Sequence, residues 1–127
     1  MKNLIVSVIC LLILIVPWLI YDNYSTNAIE YYTKTIKEET IPAVIREEWD
    51  TAETSFSLIA DDWQRFEKVS EYFLDAGSVK EASRIISETN YHIIMRDADN
   101  AAAGSAKLID VLSYLHENEL LTTDNVF

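Results

Sequence analysis

The chain has 127 residues and a net charge of −11, and all 21 acidic residues lie from Asp22 onward. With Lys2 set apart that stretch carries −12, a surface that repels phosphate backbones and anionic headgroups and argues against nucleic acid as a partner. Two glycines and one cysteine exclude glycine-rich phosphate or dinucleotide loops, an internal disulfide and a cysteine zinc site.

With so few chain breakers among many Ala, Leu, Ile and Glu residues, the pattern predicts an all-α fold. The expected order is an N-terminal transmembrane helix with a stalk, followed by a small antiparallel three- or four-helix bundle. Residues 1–3 form a cytoplasmic tip, 4–21 the membrane anchor, 22–46 a stalk helix and kink, 47–117 the bundle and 118–127 a C-terminal tail.

Leu4 to Tyr21 is an uncharged run that would make a helix of about 27 Å, the short end for a bilayer core of about 30 Å. Trp18, Tyr21 and Tyr24 mark its outer end, where amphipathic rings favour the headgroup boundary. A cleaved secretory signal would have a shorter apolar region ending at a small-x-small site. Here the run ends in bulky Pro17-Trp18-Leu19-Ile20-Tyr21, and the nearest weak site is Thr26-Asn27-Ala28, so an uncleaved anchor is expected. Cys10 sits within it as an apolar space-filler. Lys2 on one side and Asp22 and Glu30 on the other place the N-terminus in the cytoplasm and the acidic domain outside.

Ala28, Ile29, Tyr32 and Ile36 continue at helical spacing as a stalk, and Pro42 predicts a kink or loop near Thr40–Arg46. The clearest element follows. Trp49, Ala52, Phe56, Ile59, Trp63, Phe66, Ser70 and Phe73 alternate steps of three and four, a single stripe that needs another helix to cover it. One linear row suits core packing; a ligand cage would need convergent rings. Asp75 to Ser78 reads as a turn, with Gly77 as a C-terminal cap and Ser78 with Glu81 as a capping box. Val79, Ala82, Ile86, Thr89 and Ile93 mark the next helix, widened by Ile85 and Ile94. After a break at Arg96–Asn100, Ala101, Ser105, Leu108, Leu112 and Leu115 mark another, whose small first residues permit close approach. From Asn118 the period is lost, and the closing Asn125-Val126-Phe127 suggests an end that folds back onto the bundle or a partner.

Chemistry is sparse. Glu88 and His92 lie four apart on one face, but His116 has no Glu three residues before it, so the paired Glu-x-x-His of a di-metal bundle is missing. Glu47-Glu48 and Asp61-Asp62 read as solvated doublets. No catalytic residue, cofactor or metal ligand is assigned. The residues singled out for interaction or structure are Trp49, Ala52, Phe56, Trp63, Phe66, His116, Asn125, Val126 and Phe127.

The leader, the helix starting Trp49-Asp50-Thr51-Ala52 with its second tryptophan Trp63, and above all the ending from Leu115-His116-Glu117 to Asn125-Val126-Phe127 resemble a bacterial membrane-anchored family, domain of unknown function 4363. Val126 stands where that family has isoleucine, and Leu74-Asp75-Ala76-Gly77 replaces an acidic, histidine-bearing stretch, so no role of that histidine carries over. The resemblance implies a Gram-positive source and no known activity. It also implies genes beside multi-pass membrane proteins of another uncharacterised family, a membrane-protein partner by neighbourhood.

The function expected from all this is a non-enzymatic, single-pass accessory or interaction protein. It holds lipid through residues 4–21 and a membrane-protein partner or a second copy through its bundle. The alternative is an extracytoplasmic small-ligand or cation sensor.

Overall fold

A computed structural model describes the backbone of residues 1–126 and the side chains of residues 1–117. Five α-helices follow one another: α1 (Lys2–Thr35), α2 (Ile41–Ile45), α3 (Trp49–Ser70), α4 (Ala76–Ile94) and α5 (Ala98–Val126). A single π-helical turn, Ile36–Thr40, joins α1 to α2 without a break in the rod. Pro42 explains it. Its nitrogen offers no proton to the carbonyl four residues back, and its ring crowds that carbonyl. A wider turn directly before it absorbs the mismatch. The expected interruption is therefore local, and the chain reverses only at Arg46–Glu48.

The α1–α2 rod from Tyr21 onward, α3, α4 and α5 form the four arms of an up-and-down bundle joined by short turns. The stalk expected at 22–46 is thus no free stalk. Tyr21, Ser25, Ile29, Tyr32 and Ile36 are buried, and Ile29, Tyr32, Ile36, Ala43 and Val44 belong to the core cluster. The physical reason is that the stripe on α3 needs cover, and the helix that supplies it is the one emerging from the apolar leader. Helix periodicity shows that a face is apolar but not which neighbour covers it.

On α3, Ala52, Phe56, Ile59, Trp63, Phe66 and Ser70 are buried as the spacing predicts. Trp49 is half-buried, and Phe73 lies beyond the helix end, in the α3–α4 turn. On α4 Val79, Ala82, Ile85, Ile86, Thr89 and Ile93 are buried, whereas Ile94 is exposed at the helix end. Ala101, Ser105, Leu108, Leu112 and Leu115 line the buried face of α5. Gly104 sets the approach of α4 to α5: a methyl group there would overlap the Thr89 hydroxyl and lie 3.2 Å from the Thr89 Cβ.

The helix ends differ from expectation in one place. The N-cap of α4 is Asp75, whose carboxylate accepts from the Ser78 N–H at 3.2 Å and from the Ser78 hydroxyl at 2.8 Å. Ser78 is thereby the third helical residue, Gly77 lies inside the first turn, and Glu81 pairs with Arg84 instead of closing a capping box. Both α2 and α4 close with a left-handed residue, Glu47 and Arg96, each with φ of 57°. The following amides reach back, Glu48 N–H to Ala43 O at 2.8 Å and Asp97 N–H to His92 O at 2.9 Å, which is the Schellman arrangement. The α5 backbone stays helical to Val126, past the point where the apolar period fades.

Candidate functional site

Before the bundle begins, α1 carries its apolar residues on all sides. Leu4 to Ile20 contribute no buried residue, and Leu4, Ile5, Leu12, Leu14, Leu19 and Ile20 are each more than half exposed. An 18-residue window of this helix has a mean hydropathy of 2.9, which makes it long and apolar enough to cross a membrane. A water-facing helix would bury or break such a surface.

At Tyr21 the same helix changes surroundings. The Tyr21 hydroxyl donates to Ser70 Oγ at 2.9 Å, and its ring stacks on Phe73 at 4.1 Å with an interplanar angle of 11°. From there an aromatic array rises through the bundle. Tyr24 lies 5.8 Å from Phe66, Tyr32 meets Phe66 edge-on at 5.9 Å and Trp63 at 6.0 Å, and Trp63 and Phe66 sit 5.0 Å apart. Tyr32, Trp63, Phe66 and Phe56 are all closed to solvent, so this part of the array is packed core. Offset and edge-on rings at these distances attract by about 0.5–1.5 kcal/mol per pair beyond simple burial.

Tyr21, Tyr32 and Trp63 each place their polar edge on a partner. The Tyr32 hydroxyl donates to Asp62 Oδ2 at 2.5 Å, while Arg65 reaches Asp62 Oδ1 at 3.3 Å on the exposed side. Burial, reinforced by the bond to Asp62, pushes the Tyr32 phenol far above its ordinary range. Burial also raises Tyr24, with Asp62 adding to the effect and Arg65 opposing it. A phenol held so firmly in its neutral form is a hydrogen-bond donor and not a base. The Trp63 indole donates to Ser83 Oγ at 2.7 Å, and Ser83 passes a bond to the Val79 carbonyl at 3.1 Å, fixing α3 against α4. Thr40 and Ser55 share a buried bond of 2.8 Å between the first arm and α3.

The remaining candidates fall apart in space. Trp49 stands at the start of α3 beside Glu47, Glu48 and Arg96, at the end of the bundle away from the apolar leader. Glu88 is engaged with Arg84 at 2.7 Å, and the His92 ring lies 5.7 Å from Tyr91, so the two do not converge. His116 is half-buried, its Nδ1 without a hydrogen-bond partner among the described residues. It borders a recess of about 420 Å³ lined with both Glu30 and Glu38 and Lys34 and Lys37, a mixed-charge surface. Among the described residues no three His, Cys, Asp or Glu side chains group so as to hold a metal ion. The side chains of Asn125 and Val126, and Phe127 altogether, lie outside the described residues.

The feature that sequence reasoning missed is Tyr32 with Asp62. By sequence Asp61-Asp62 reads as a solvated doublet, but Asp62 is half-buried and bonded to the first arm through Tyr32. The spacing of Tyr32 to Tyr21 and Ile36 was the available signal. No family model matches the chain, and no similarity to a curated protein or a solved structure was found.

Proposed function

We propose that the chain is a non-enzymatic, single-pass membrane-anchored interaction protein that holds an acidic helical bundle outside the membrane, with its N-terminus in the cytoplasm. One observation carries this reading: a wholly apolar, uncovered helix runs without a break into the core of a bundle. Such a helix has no stable place in water, and the rod it forms with the first arm makes the bundle a fixture of the membrane surface. The bundle's polar groups serve packing. Tyr32, Trp63 and Thr40 each spend their hydrogen bonds on a neighbouring arm. The negative charge suits a basic partner surface and keeps nucleic acid away. The likeness to the membrane-anchored family named above supports a partner that is itself a membrane protein.

The test is membrane fractionation joined to protease treatment of intact protoplasts and in-cell crosslinking. The chain should resist alkaline carbonate, lose its bundle to external protease and crosslink to a discrete membrane protein or to a second copy. Release by carbonate overturns the anchor. Protection in protoplasts with digestion in inverted vesicles overturns the orientation.

A further inference from the structure

We infer that the α3–α4 turn, through Tyr72 and Phe73, is a second point of contact with the bilayer and rests at the boundary between acyl chains and headgroups. The inference builds on the reading of residues 4–21 as a membrane span.

Position comes first. The turn is tied to the outer end of the span by two separate contacts, the Tyr21–Ser70 hydrogen bond at 2.9 Å and the Tyr21–Phe73 stack at 4.1 Å. Whatever level Tyr21 takes in the bilayer, Phe73 takes beside it. Length decides what that level is. Residues 4 to 21 rise about 27 Å as a helix, short of a hydrocarbon core of about 30 Å. A span that is too short draws its flanking groups inward. The groups drawn in are Tyr21, Phe73 and their neighbours.

Composition agrees. Tyr72 is 86% exposed and Phe73 39%, and Val69, a turn earlier on α3, is also uncovered. Aromatic rings with a polar tip or a wet edge favour the headgroup boundary. The acidic residues of this end are Asp22, next to Tyr21, and Glu71 and Asp75, the first and last residues of the α3–α4 connection. They oppose anionic lipid and leave a zwitterionic surface as the matching occupant. A second arrangement of uncovered apolar residues, Tyr91, Ile94 and Met95, lies at the far end of α4, where nothing on the chain indicates a covering group. Continuity with the span separates the two.

The test uses the full chain with Cys10→Ser, reconstituted at one copy per nanodisc of phosphatidylcholine. An environment-sensitive fluorophore is attached at Tyr72→Cys, Leu12→Cys or Tyr91→Cys in turn, all exposed positions whose replacement leaves the core intact. Lipids carry a nitroxide quencher either near the headgroup or near the acyl end. The expected result is loss of emission at position 72 with the shallow quencher, loss at position 12 with the deep one and none at position 91. Loss at position 12 without loss at position 72 overturns the second contact and leaves the anchor standing. No loss at either position means that the anchor reading itself has failed, and the inference with it. Blue-shifted emission at position 72 only when two copies share a disc assigns the turn to self-association and also overturns the inference.

Discussion

Tyr32 is surrounded by rings, yet its hydroxyl reaches the half-exposed Asp62 on a neighbouring arm. Its neutral form is favoured in the folded chain, whereas the unfolded chain ionises it near pH 10. Above that pH the unfolded state binds fewer protons, so stability falls as pH rises; below it the contribution is fully present. Tyr32→Phe should cost about 0.5–1.5 kcal/mol at neutral pH and make the alkaline decline shallower, both read from urea unfolding over a pH series. The replacement keeps the ring contacts with Trp63 and Phe66, which separates the hydroxyl from the packing. Gly104 offers the opposite experiment. Alanine would ordinarily gain up to about 1 kcal/mol in a helix interior. Here the added methyl meets Thr89, and overpacking of this kind costs about 1–3 kcal/mol, so the clash should win. Thr89→Ala combined with Gly104→Ala should recover part of the loss, because the closest overlap is with the hydroxyl.

Among the elements, α3, α4 and α5 were legible because each buries one face and exposes the other, so burial writes itself into the spacing of Phe56, Trp63, Ile86, Leu108 and their neighbours. Their ends were harder to read. Asp75 and Ser78 are both good N-cap residues, and only the folded turn decides between them; the carboxylate takes the cap and the serine becomes its donor. Those bonds hold the Asp75 carboxyl below its ordinary range. The stability it lends is present above about pH 4 and lost as pH falls further. Asp75→Ala should lower the melting temperature at neutral pH and remove that part of the acid-side decline, seen by circular dichroism. The closing residues Glu47 and Arg96 were invisible to spacing, since nothing in a glutamate or an arginine announces a left-handed backbone. Such a conformation costs a side chain roughly 1–2 kcal/mol that glycine avoids. Arg96→Gly should therefore raise the midpoint of chemical unfolding, and a fall would mean that the Arg96 side chain contributes more than its backbone costs.

For the molecule as a whole, the informative segment is the one after the apolar run. Ala28, Ile29, Tyr32 and Ile36 recur at helical steps, but a stalk and a bundle arm share that period, and only the partner's stripe tells them apart. Truncation makes the distinction measurable. A chain beginning at Tyr21 retains every core residue of the first arm and should fold cooperatively in water. One beginning at Thr33 loses Tyr21, Ile29 and Tyr32. Each large side chain contributes about 1.5–3 kcal/mol on burial, so three approach the 5–15 kcal/mol that hold a typical domain together. That shorter chain should lack a cooperative melting transition.

The unbroken rod has a mechanical consequence. The apolar run and the first arm of the bundle are the two ends of one continuous shaft, with Pro17 inside it and a π turn at its far end. If the bilayer thins or thickens so that the span must shift by one residue, the shaft travels about 1.5 Å. The Tyr21–Ser70 bond and the Tyr21–Phe73 stack tie this shaft to α3, so the bundle would move with it as one body. A flexible linker would absorb such a displacement; a shaft delivers it. On the proposed reading, the height of the bundle therefore follows the thickness of the lipid beneath it.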